Sequence, residues 1–412
     1  MIGFDLTEEQ QRMKEMAHEF AEKEMRSVAH DYDEKEEFPW PVMKKANDVG
    51  LLAYALPEEY GGAGVTSHLT DCIVQEELFW GCAGIGTSMG GIMLGALPIL
   101  LAGNDAQKKK YLEMLSTTKP DGMPRLGAFA LTEPEAGSDV ASLKASVKKV
   151  DGGYILNGTK HFITNGGIAD VYTVFATHDP SKGADGIDGF IVEGGWKGVI
   201  PGKKEKKMGI RASHTAQVHF EDVFVPTENR LGEEGDGFGV IMQTLDHSRP
   251  IVAAGAVGVA RAAFDFATAY SQERKQFGRA IAKQQAIQFM LADMATEIDA
   301  ARLLAWRAAW LLDQGEPNSV AASMAKVMAG DVAMKVTTDA LQIVGGMGYM
   351  PKCDYTMIHQ FFAEHRDISR EPTLILGFYQ RSYAGSTLSS DTLCNPHPLS
   401  FNDTHHPGSM MT

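Results

Sequence analysis

Two short segments carry residue types that could bind a ligand or act on it. The segment LTEPEAGSDV at residues 131–140 places hydroxyl groups, carboxylates and a glycine between an apolar segment and a region rich in strand-forming residues. It is equally consistent with a ligand-binding loop and with a capped turn. The segment GGMG at residues 345–348 follows the helical pattern TTDALQIV and frees backbone N–H groups that can meet a phosphate. On spacing alone, it is more typical of the end of a helix.

Other common binding motifs are missing from the sequence. It contains neither G-x-x-x-x-G-K-[ST] nor H-E-x-x-H, and GEEGDGFG at 232–239 lacks the spacing and the β-α-β context of a dinucleotide loop. The lysine run at 203–207 favours a solvated face. The histidines are scattered without metal-ligand spacing, as His161, His214 and His247 show. The four cysteines form no C-x-x-C pair, so we predict neither a metal site nor a disulfide framework.

Composition narrows the class of protein. The 412 residues are 44% hydrophobic and 22% charged, which is typical of a globular chain. A net charge of −15 disfavours nucleic-acid binding through charge alone. The charge-free stretch at 79–103 is long enough to span a bilayer, but its seven glycines and Pro98 favour a buried, closely packed helix. We therefore expect no membrane span and, with no signal-like segment at the start, a cytoplasmic location.

Hydrophobic periodicity divides the chain into three blocks and a tail. Residues 1–125 are helical, with an amphipathic helix at 6–30 and another beginning near Asn104 or Asp105. Residues 126–235 have short strand-like runs separated by glycines, which predicts a small β-domain of about five to eight strands. Within it, the Asn157–Gly158 dipeptide predicts a hairpin turn.

The third block, residues 236–380, is helical again. It is alanine-rich at 252–274, a second helix ends at Gly315 and Pro317, and a third covers 318–344. The tail at 381–412 has few charges and no aliphatic periodicity, so we expect it to be poorly ordered. The pattern as a whole predicts an α+β fold with a helical N-terminal domain, a central β-domain and a C-terminal helical bundle.

In this order, the blocks resemble the acyl-CoA dehydrogenase family over about residues 5–375. The motifs that carry the resemblance are PEEYGGAG (57–64), AGNDAQKKKYL (102–112), LTEPEAGSDVASL (131–143), FITNGG (162–167), RPIVAAGAVGVARAAFDFATAY (249–270), ERKQFG (273–278) and DALQIVGGMGY (339–349). The family fold is an α-helical N-terminal domain, a central β-barrel-like domain and a C-terminal four-helix bundle. The resemblance also implies non-covalently bound FAD and a homotetramer.

The resemblance assigns cofactor-binding residues in two groups. The first should border the isoalloxazine ring: Phe129, Leu131, Thr132, Phe162 and Thr164. Phe162 stands where many relatives have tryptophan, which keeps an aromatic face against the flavin. The second should hold the phosphates and adenosine, and in the family it comes from a neighbouring subunit: Arg274, Phe277, Gln342, Gly345 and Gly346. Ser138 and Thr373 complete the cofactor set.

The resemblance likewise implies the substrate site and its base. Ser138, Asp246 and Arg249 match positions that bind the CoA thioester, and Arg249 is expected at a helix start because Pro250 follows it. Glu371, in the segment REPT, corresponds to the glutamate that removes the α-proton in most family members. Desolvation beside the flavin would raise its pKa toward that of a general base. A second family position for the base is Ser248 here, which cannot serve.

The implied activity is oxidation of an acyl-CoA to the trans-2-enoyl-CoA, with electrons passed to an electron-transfer flavoprotein. Gly86 and Gly90 stand where medium-chain relatives carry longer polar side chains, which predicts a deep pocket for a long or bulky acyl group. Arg370 and Pro372 replace the tyrosine and glycine that usually flank the base. Alternatives are therefore an acyl-CoA oxidase, an enoyl-CoA reductase, a desulfinase-like relative and a catalytically silent acyl-CoA-binding homologue.

Overall fold

Helices dominate the N-terminal part of the chain. The structure, a computed structural model, describes residues 5–349. Six α-helices precede the sheet: α1 (Glu8–Phe20), α2 (Ser27–Lys35), α3 (Trp40–Asp48), α4 (His68–Gly81), α5 (Ala83–Ala102) and α6 (Asp105–Ser116). A π-helical segment, Ala21–Arg26, joins α1 to α2, so the predicted amphipathic helix is one continuous helical stretch. Asn104 caps α6 through reciprocal hydrogen bonds with Gln107, which confirms one of the two predicted cap residues.

A mixed β-sheet forms the central part of the described chain. Its eight strands are β1 (Gly127–Ala130), β2 (Ser146–Val150), β3 (Gly153–Thr164), β4 (Val171–Thr177), β5 (Ile187–Glu193), β6 (Val199–Lys204), β7 (Thr215–Pro226) and β8 (Arg230–Leu231). They are hydrogen-bonded in the order β6-β7-β3-β2-β4-β5-β8, and β1 pairs in parallel with β4. A sheet placed between two helical regions confirms the predicted α+β class.

The predicted hairpin turn at Asn157–Gly158 is wrong. Strand β3 runs through both residues, and the chain reverses at Asp151 and Gly152, between β2 and β3. Gly158 lies at a register shift against β7, and a Cβ there would come within 2.5 Å of the Cβ of Ala145. Close packing, and not a turn, therefore requires this glycine. Long-range strand pairing overrides the local turn preference.

Three long helices follow the sheet within the described residues. They are α7 (Gly237–Glu273), α8 (Gln285–Asp313) and α9 (Ser319–Val344), with a short hairpin of β9 (Lys275–Gln276) and β10 (Arg279–Ala280) between α7 and α8. Their shared core is built largely from alanine: Ala256, Ala260, Ala263, Ala267, Ala301, Ala305, Ala322, Ala325, Ala329 and Ala333. Small side chains let the helix axes approach closely. The three predicted helices are confirmed, and α7 begins earlier than its alanine-rich part.

Pro250 lies inside α7, so the expectation that Arg249 begins a helix is wrong. A proline within a helix leaves the carbonyl four residues earlier without its N–H donor. Here that carbonyl belongs to Asp246, and the side-chain Nδ2 of Asn318 donates to it at 2.9 Å. This replacement donor lets α7 continue past the proline. Arg249 is consequently buried in mid-helix and receives no stabilisation from a helix N-terminus.

The charge-free stretch at 79–103 is divided between two helices. Cys82 has extended backbone angles and separates α4 from α5. Most of α5 is buried, as predicted for a closely packed helix. Both α5 and α7 are long and apolar enough to meet a length-and-hydropathy criterion for a membrane span, but 56% and 61% of their most apolar windows are buried inside the chain. Buried core helices of globular proteins meet the same criterion.

Buried charges join α4 to three other helices. Glu76 accepts hydrogen bonds from Arg261 on α7 at 2.8 Å and from Arg302 on α8 at 2.9 Å. Glu77 pairs with Arg261 and with His18 on α1. Burial works to raise the pKa of Glu77, but the hydrogen bonds and charge of Arg261 outweigh it and hold that pKa below its usual value. These contacts fix the register of α4 against α1, α7 and α8.

A buried ion pair joins the segment after β1 to strand β3. The Nζ of Lys160 donates to the carboxylate of Glu133 at 2.7 Å and to the carbonyl of Leu131 at 2.9 Å. The same carboxylate accepts the backbone N–H groups of Lys144 and Ala145. Lys160 is fully buried, and burial lowers its pKa to about 8 although Glu133 favours the charged form. The pair therefore holds residues 131–145 against the sheet.

Removing the lysine charge should destabilise the protein strongly. We expect Lys160→Met to lower the free energy of unfolding by about 3 kcal/mol, because it leaves the Glu133 carboxylate buried with only backbone donors. The measurement is the melting temperature of the holoprotein, compared with Lys148→Met, an exposed lysine on β2.

The double variant Lys160→Met/Glu133→Gln tests whether the unpaired carboxylate of Glu133 causes the loss of stability. It should melt higher than Lys160→Met alone, since the unpaired buried charge is then gone. Equal melting temperatures for Lys160→Met and Lys148→Met would contradict the assignment of a stabilising pair.

Candidate active site

Two strand ends bring the predicted ring-contacting residues together. Phe129 is on β1, Leu131 and Thr132 follow it directly, and Phe162 and Thr164 end β3. The backbone N–H of His161 donates to the carbonyl of Thr132 at 2.8 Å, so the two segments lie side by side. The structure thus brings together the two segments that carry all five residues, and these paired segments form the candidate ring surface.

Phe162 occupies a strained backbone conformation at this surface. Its φ of 57° lies in the left-handed region, which bulky residues avoid at a cost of about 1–3 kcal/mol. A bulge between Lys160 and Ile163 in the pairing of β3 with β7 produces this geometry. The ring is 60% exposed and stacks on His161, with centroids 3.8 Å apart and planes inclined by 13°. The fold therefore presents a supported aromatic side chain, which fits a planar ring such as isoalloxazine.

Asn165 is a positioning residue that sequence reasoning missed, although it lies inside the quoted FITNGG motif. It is fully buried with a φ of 59°, and its Nδ2 donates to the carbonyls of Ser88 on α5 and Gly127 on β1, both at 3.2 Å. Its backbone N–H donates to the carbonyl of His214. Burial, followed by Lys204 and Lys207, lowers the pKa of His214 to about 4, so this histidine is neutral near pH 7. The sequence signal for this role was an asparagine directly after the strand that carries Phe162 and Thr164, because asparagine tolerates the left-handed conformation.

Helix α5 packs directly against the end of β3. A Cβ on Gly91 would lie 2.7 Å from the Cγ2 of Thr164, so only glycine allows this approach. Leu131 packs in one cluster with Val240 and Ile241 of α7, and Phe129 packs against that cluster. The candidate ring surface is therefore bordered by α5 and by the first half of α7.

Two of the predicted CoA-binding residues, Asp246 and Arg249, lie in that half of α7. The carboxylate of Asp246 is paired with Arg249 one turn later and accepts a hydrogen bond from the hydroxyl of Ser319, at the start of α9. Arg249 is 5% exposed. The carboxylate of Asp246 partly neutralises the charge of Arg249. Arg249 would therefore bind a ligand mainly through directional hydrogen bonds. Ser138 is half-buried and lies in the loop between Ala136 and Val140.

The predicted free space at Gly86 is not present. The ring of Phe79, on α4, occupies it, and a Cβ on Gly86 would lie 2.8 Å from the Cδ2 of Phe79. A Cβ on Gly90 would lie 3.7 Å from the Oε1 of Gln75, a buried side chain of the same helix. Side chains of α4 therefore occupy or border the space that the glycines of α5 leave. The prediction from the sequence considered α5 alone.

The second group of cofactor residues is exposed at one end of the helical bundle. Phe277 and Gly278 form the two-residue turn of the β9–β10 hairpin, both with positive φ, and the Phe277 side chain is 94% exposed. Arg274 and Gln342 are also exposed. Gly345 ends α9 with its N–H bonded to the carbonyl of Leu341, so it is the helix C-terminus that spacing indicated. Gly346 follows it, exposed, and a Cβ there would meet no heavy atom within 4 Å.

The two groups of cofactor residues are far apart along one chain. Ser319 contacts Asp246, so α9 begins beside the first third of α7, and an antiparallel α8 between them makes α9 run parallel to α7. Arg274 and Gly345 therefore lie at the same end of the bundle, about 40 Å from Asp246 at about 1.5 Å per residue. One chain does not bring these residues to the Phe162 surface. Glu371 and Thr373, the predicted base and cofactor residue, lie outside the described residues, as does the tail at 381–412.

Comparisons with known proteins agree with this architecture. Three acyl-CoA dehydrogenase domain models match the chain in order: the N-terminal domain at 7–119, the middle domain at 128–223 and the C-terminal domain at 235–366. A short-chain-specific acyl-CoA dehydrogenase from Clostridium acetobutylicum is 45% identical, over 84% of this chain and 90% of that protein. Cyclohex-1-ene-1-carbonyl-CoA dehydrogenase from Syntrophus aciditrophicus is 44% identical, over 84% and 83%.

A solved structure matches the whole fold as well. Butyryl-CoA dehydrogenase from Megasphaera elsdenii superposes with a TM-score of 0.86 at 41% identity, and the match covers 92% of this chain and all of that one. The order of the domain models, the identity of the relatives and the shared fold all lead to one assignment. The chain belongs to the acyl-CoA dehydrogenase family, whose members are FAD-dependent oxidoreductases that act on CH–CH bonds.

Proposed function

We propose that this protein oxidises an acyl-CoA thioester to the trans-2-enoyl-CoA, with Glu371 as the base. The observation that supports it best is the pairing of the segments that carry Phe129, Leu131, Thr132, Phe162 and Thr164, with Leu131 packed against the part of α7 that leads to the Asp246–Arg249 pair. Bound FAD would accept the hydride that leaves the β-carbon. An electron-transfer flavoprotein as electron acceptor and a cytoplasmic location belong to the same proposal.

The residues of this chain have separable tasks in the proposed reaction. Phe162 and Thr164 border the ring, and the bulge in β3 holds the aromatic side chain in place. Arg249 and Asp246 bind polar groups of the thioester ligand. Glu371 takes the α-proton, and its backbone N–H donates to the thioester oxygen as negative charge develops there. Pro372 removes only its own N–H, so the donor of Glu371 is retained.

The visible spectrum tests the proposed activity. The purified protein should be yellow, and an acyl-CoA that is a substrate should bleach the flavin absorbance under anaerobic conditions. The panel runs from butyryl-CoA to dodecanoyl-CoA, with cyclohexanecarbonyl-CoA as the cyclic member. A yellow protein that none of them bleaches would contradict the proposal, and substrate-dependent oxygen consumption at the rate of flavin reduction would favour an oxidase.

Glu371→Gln tests the base. The rate of flavin reduction by substrate should fall about 10²–10⁴-fold, because the amide cannot accept the α-proton. Flavin content should be unchanged, and Glu316→Gln, at an exposed glutamate after α8, should reduce at the wild-type rate. Flavin reduction by Glu371→Gln at the wild-type rate would exclude Glu371 as the base.

We further propose that Arg274, Phe277, Gln342, Gly345 and Gly346 complete the FAD site of a neighbouring subunit. The separation of about 40 Å between these residues and Asp246, at about 1.5 Å per residue along α7, supports this. The exposed Phe277, held at positive φ on a tight turn, also suits a contact with another chain. A homotetramer is the assembly that the family resemblance implies.

Subunit complementation tests the shared site. Arg274→Glu and Phe162→Glu should each lose most of the bound FAD when purified alone. Refolded together from a denatured mixture, they should recover FAD in about a quarter of the sites, because random pairing across a two-fold interface restores one intact site per mixed pair. In the control, Lys275→Glu takes the place of Arg274→Glu, and this variant should retain FAD when it is purified by itself. No recovery from the mixture would place both groups in one chain.

A further inference from the structure

One aromatic side chain of α4 fills the space between α5 and α7. The ring of Phe79 lies between two glycines: a Cβ on Gly86 of α5 would be 2.8 Å from its Cδ2, and a Cβ on Gly255 of α7 would be 2.9 Å from its Cδ1. Any side chain at either position would displace the ring. Phe79 is half-buried, whereas its neighbours Leu78 and Trp80 are buried.

The position of this ring follows from its two glycine contacts. Gly86 is five residues before Gly91, which contacts Thr164 at the candidate flavin surface, so it lies about 7.5 Å back along α5 at about 1.5 Å per residue. Gly255 is six residues after Arg249, or about 9 Å along α7 by the same rise. Phe79 therefore stands about 7.5 to 9 Å, measured along α5 and α7, from both groups of residues that the proposed function places around the thioester.

A polar side chain borders α5 between the ring and Gly91. A Cβ on Gly90 would lie 3.7 Å from the Oε1 of Gln75, and the Nε2 of that buried side chain donates to the hydroxyl of Tyr54 at 3.3 Å. Tyr54 in turn donates to the buried carboxylate of Asp71.

We propose that Phe79 closes the far end of the acyl pocket and restricts the substrate to short, linear acyl groups. This inference rests on the proposed function, and it replaces the long or bulky substrate expected from Gly86 and Gly90. The ring takes the space that Gly86 leaves, so the pocket ends at an aromatic face. Chain-length selection then depends on α4, and Gly86 and Gly255 serve to admit the ring.

The test is the chain-length profile of kcat/KM for wild type and Phe79→Ala. Wild type should prefer butyryl-CoA or hexanoyl-CoA. Phe79→Ala should shift the optimum by at least two carbons and raise kcat/KM for octanoyl-CoA about tenfold, which corresponds to two further buried methylene groups. Phe79→Leu should give a smaller shift and covers the case in which the alanine variant does not fold. Phe224→Ala, at an exposed phenylalanine of β7, should keep the wild-type profile.

Several results would overturn this inference while leaving the proposed function intact. Bleaching of the flavin by butyryl-CoA with identical profiles for wild type, Phe79→Ala and Phe79→Leu would show that Phe79 does not limit the pocket. A wild-type preference for dodecanoyl-CoA or for cyclohexanecarbonyl-CoA would also contradict it. Failure of every acyl-CoA to bleach wild type and variants alike would overturn the proposed function, and this inference with it.

Discussion

Close packing of α5 and α7 against their neighbours is the constraint on which the candidate site depends. Gly95 of α5 approaches the backbone of Ala128 so closely that a Cβ would lie 2.4 Å from its nitrogen, and Gly258 of α7 meets the carbonyl of Glu76 in the same way at 2.1 Å. No other residue fits at these contacts. They bring α5 onto the sheet and α4 onto α7. The segments with Phe129 and Phe162 consequently pack against α5 and, through Leu131, against the part of α7 that precedes Asp246 and Arg249.

Polar side chains complete this arrangement where the regular backbone pattern is interrupted. Asn318 supplies the donor that Pro250 removes from α7, Asn165 joins α5 to β1 and β3, and Lys160 with Glu133 holds the segment that follows β1. In each case a buried polar atom finds a partner that is distant in sequence. Such contacts are costly to break, because the group left behind stays buried. They explain how strained residues such as Phe162 persist.

The distribution of ligand-facing residues along the chain links the proposed chemistry to assembly. Residues around Phe162 and Arg249 belong to the sheet and the first half of α7, while Arg274 and Gly345 lie at the far end of the bundle. If both groups bind one FAD, as we propose, cofactor binding and oligomerisation stabilise each other by mass action. The substrate pocket, by contrast, is limited by residues of one chain, with Phe79 between α5 and α7. Variants at Phe79 are therefore expected to change selectivity without changing assembly.

Much of this protein could be predicted from its sequence. Helical and strand periodicity gave the order helices, sheet, helices, and the motifs at 131–143, 162–167 and 273–278 indicated the family, because local pattern and motif chemistry are properties of short segments. The residues of the two cofactor groups stay a prediction. Three expectations failed where a distant contact decides the outcome. Strand pairing carries β3 through Asn157–Gly158, Asn318 lets α7 pass Pro250, and Phe79 fills the space at Gly86. Only the tertiary structure decides these points, because each one depends on which side chain from another element occupies a given volume or satisfies a given carbonyl.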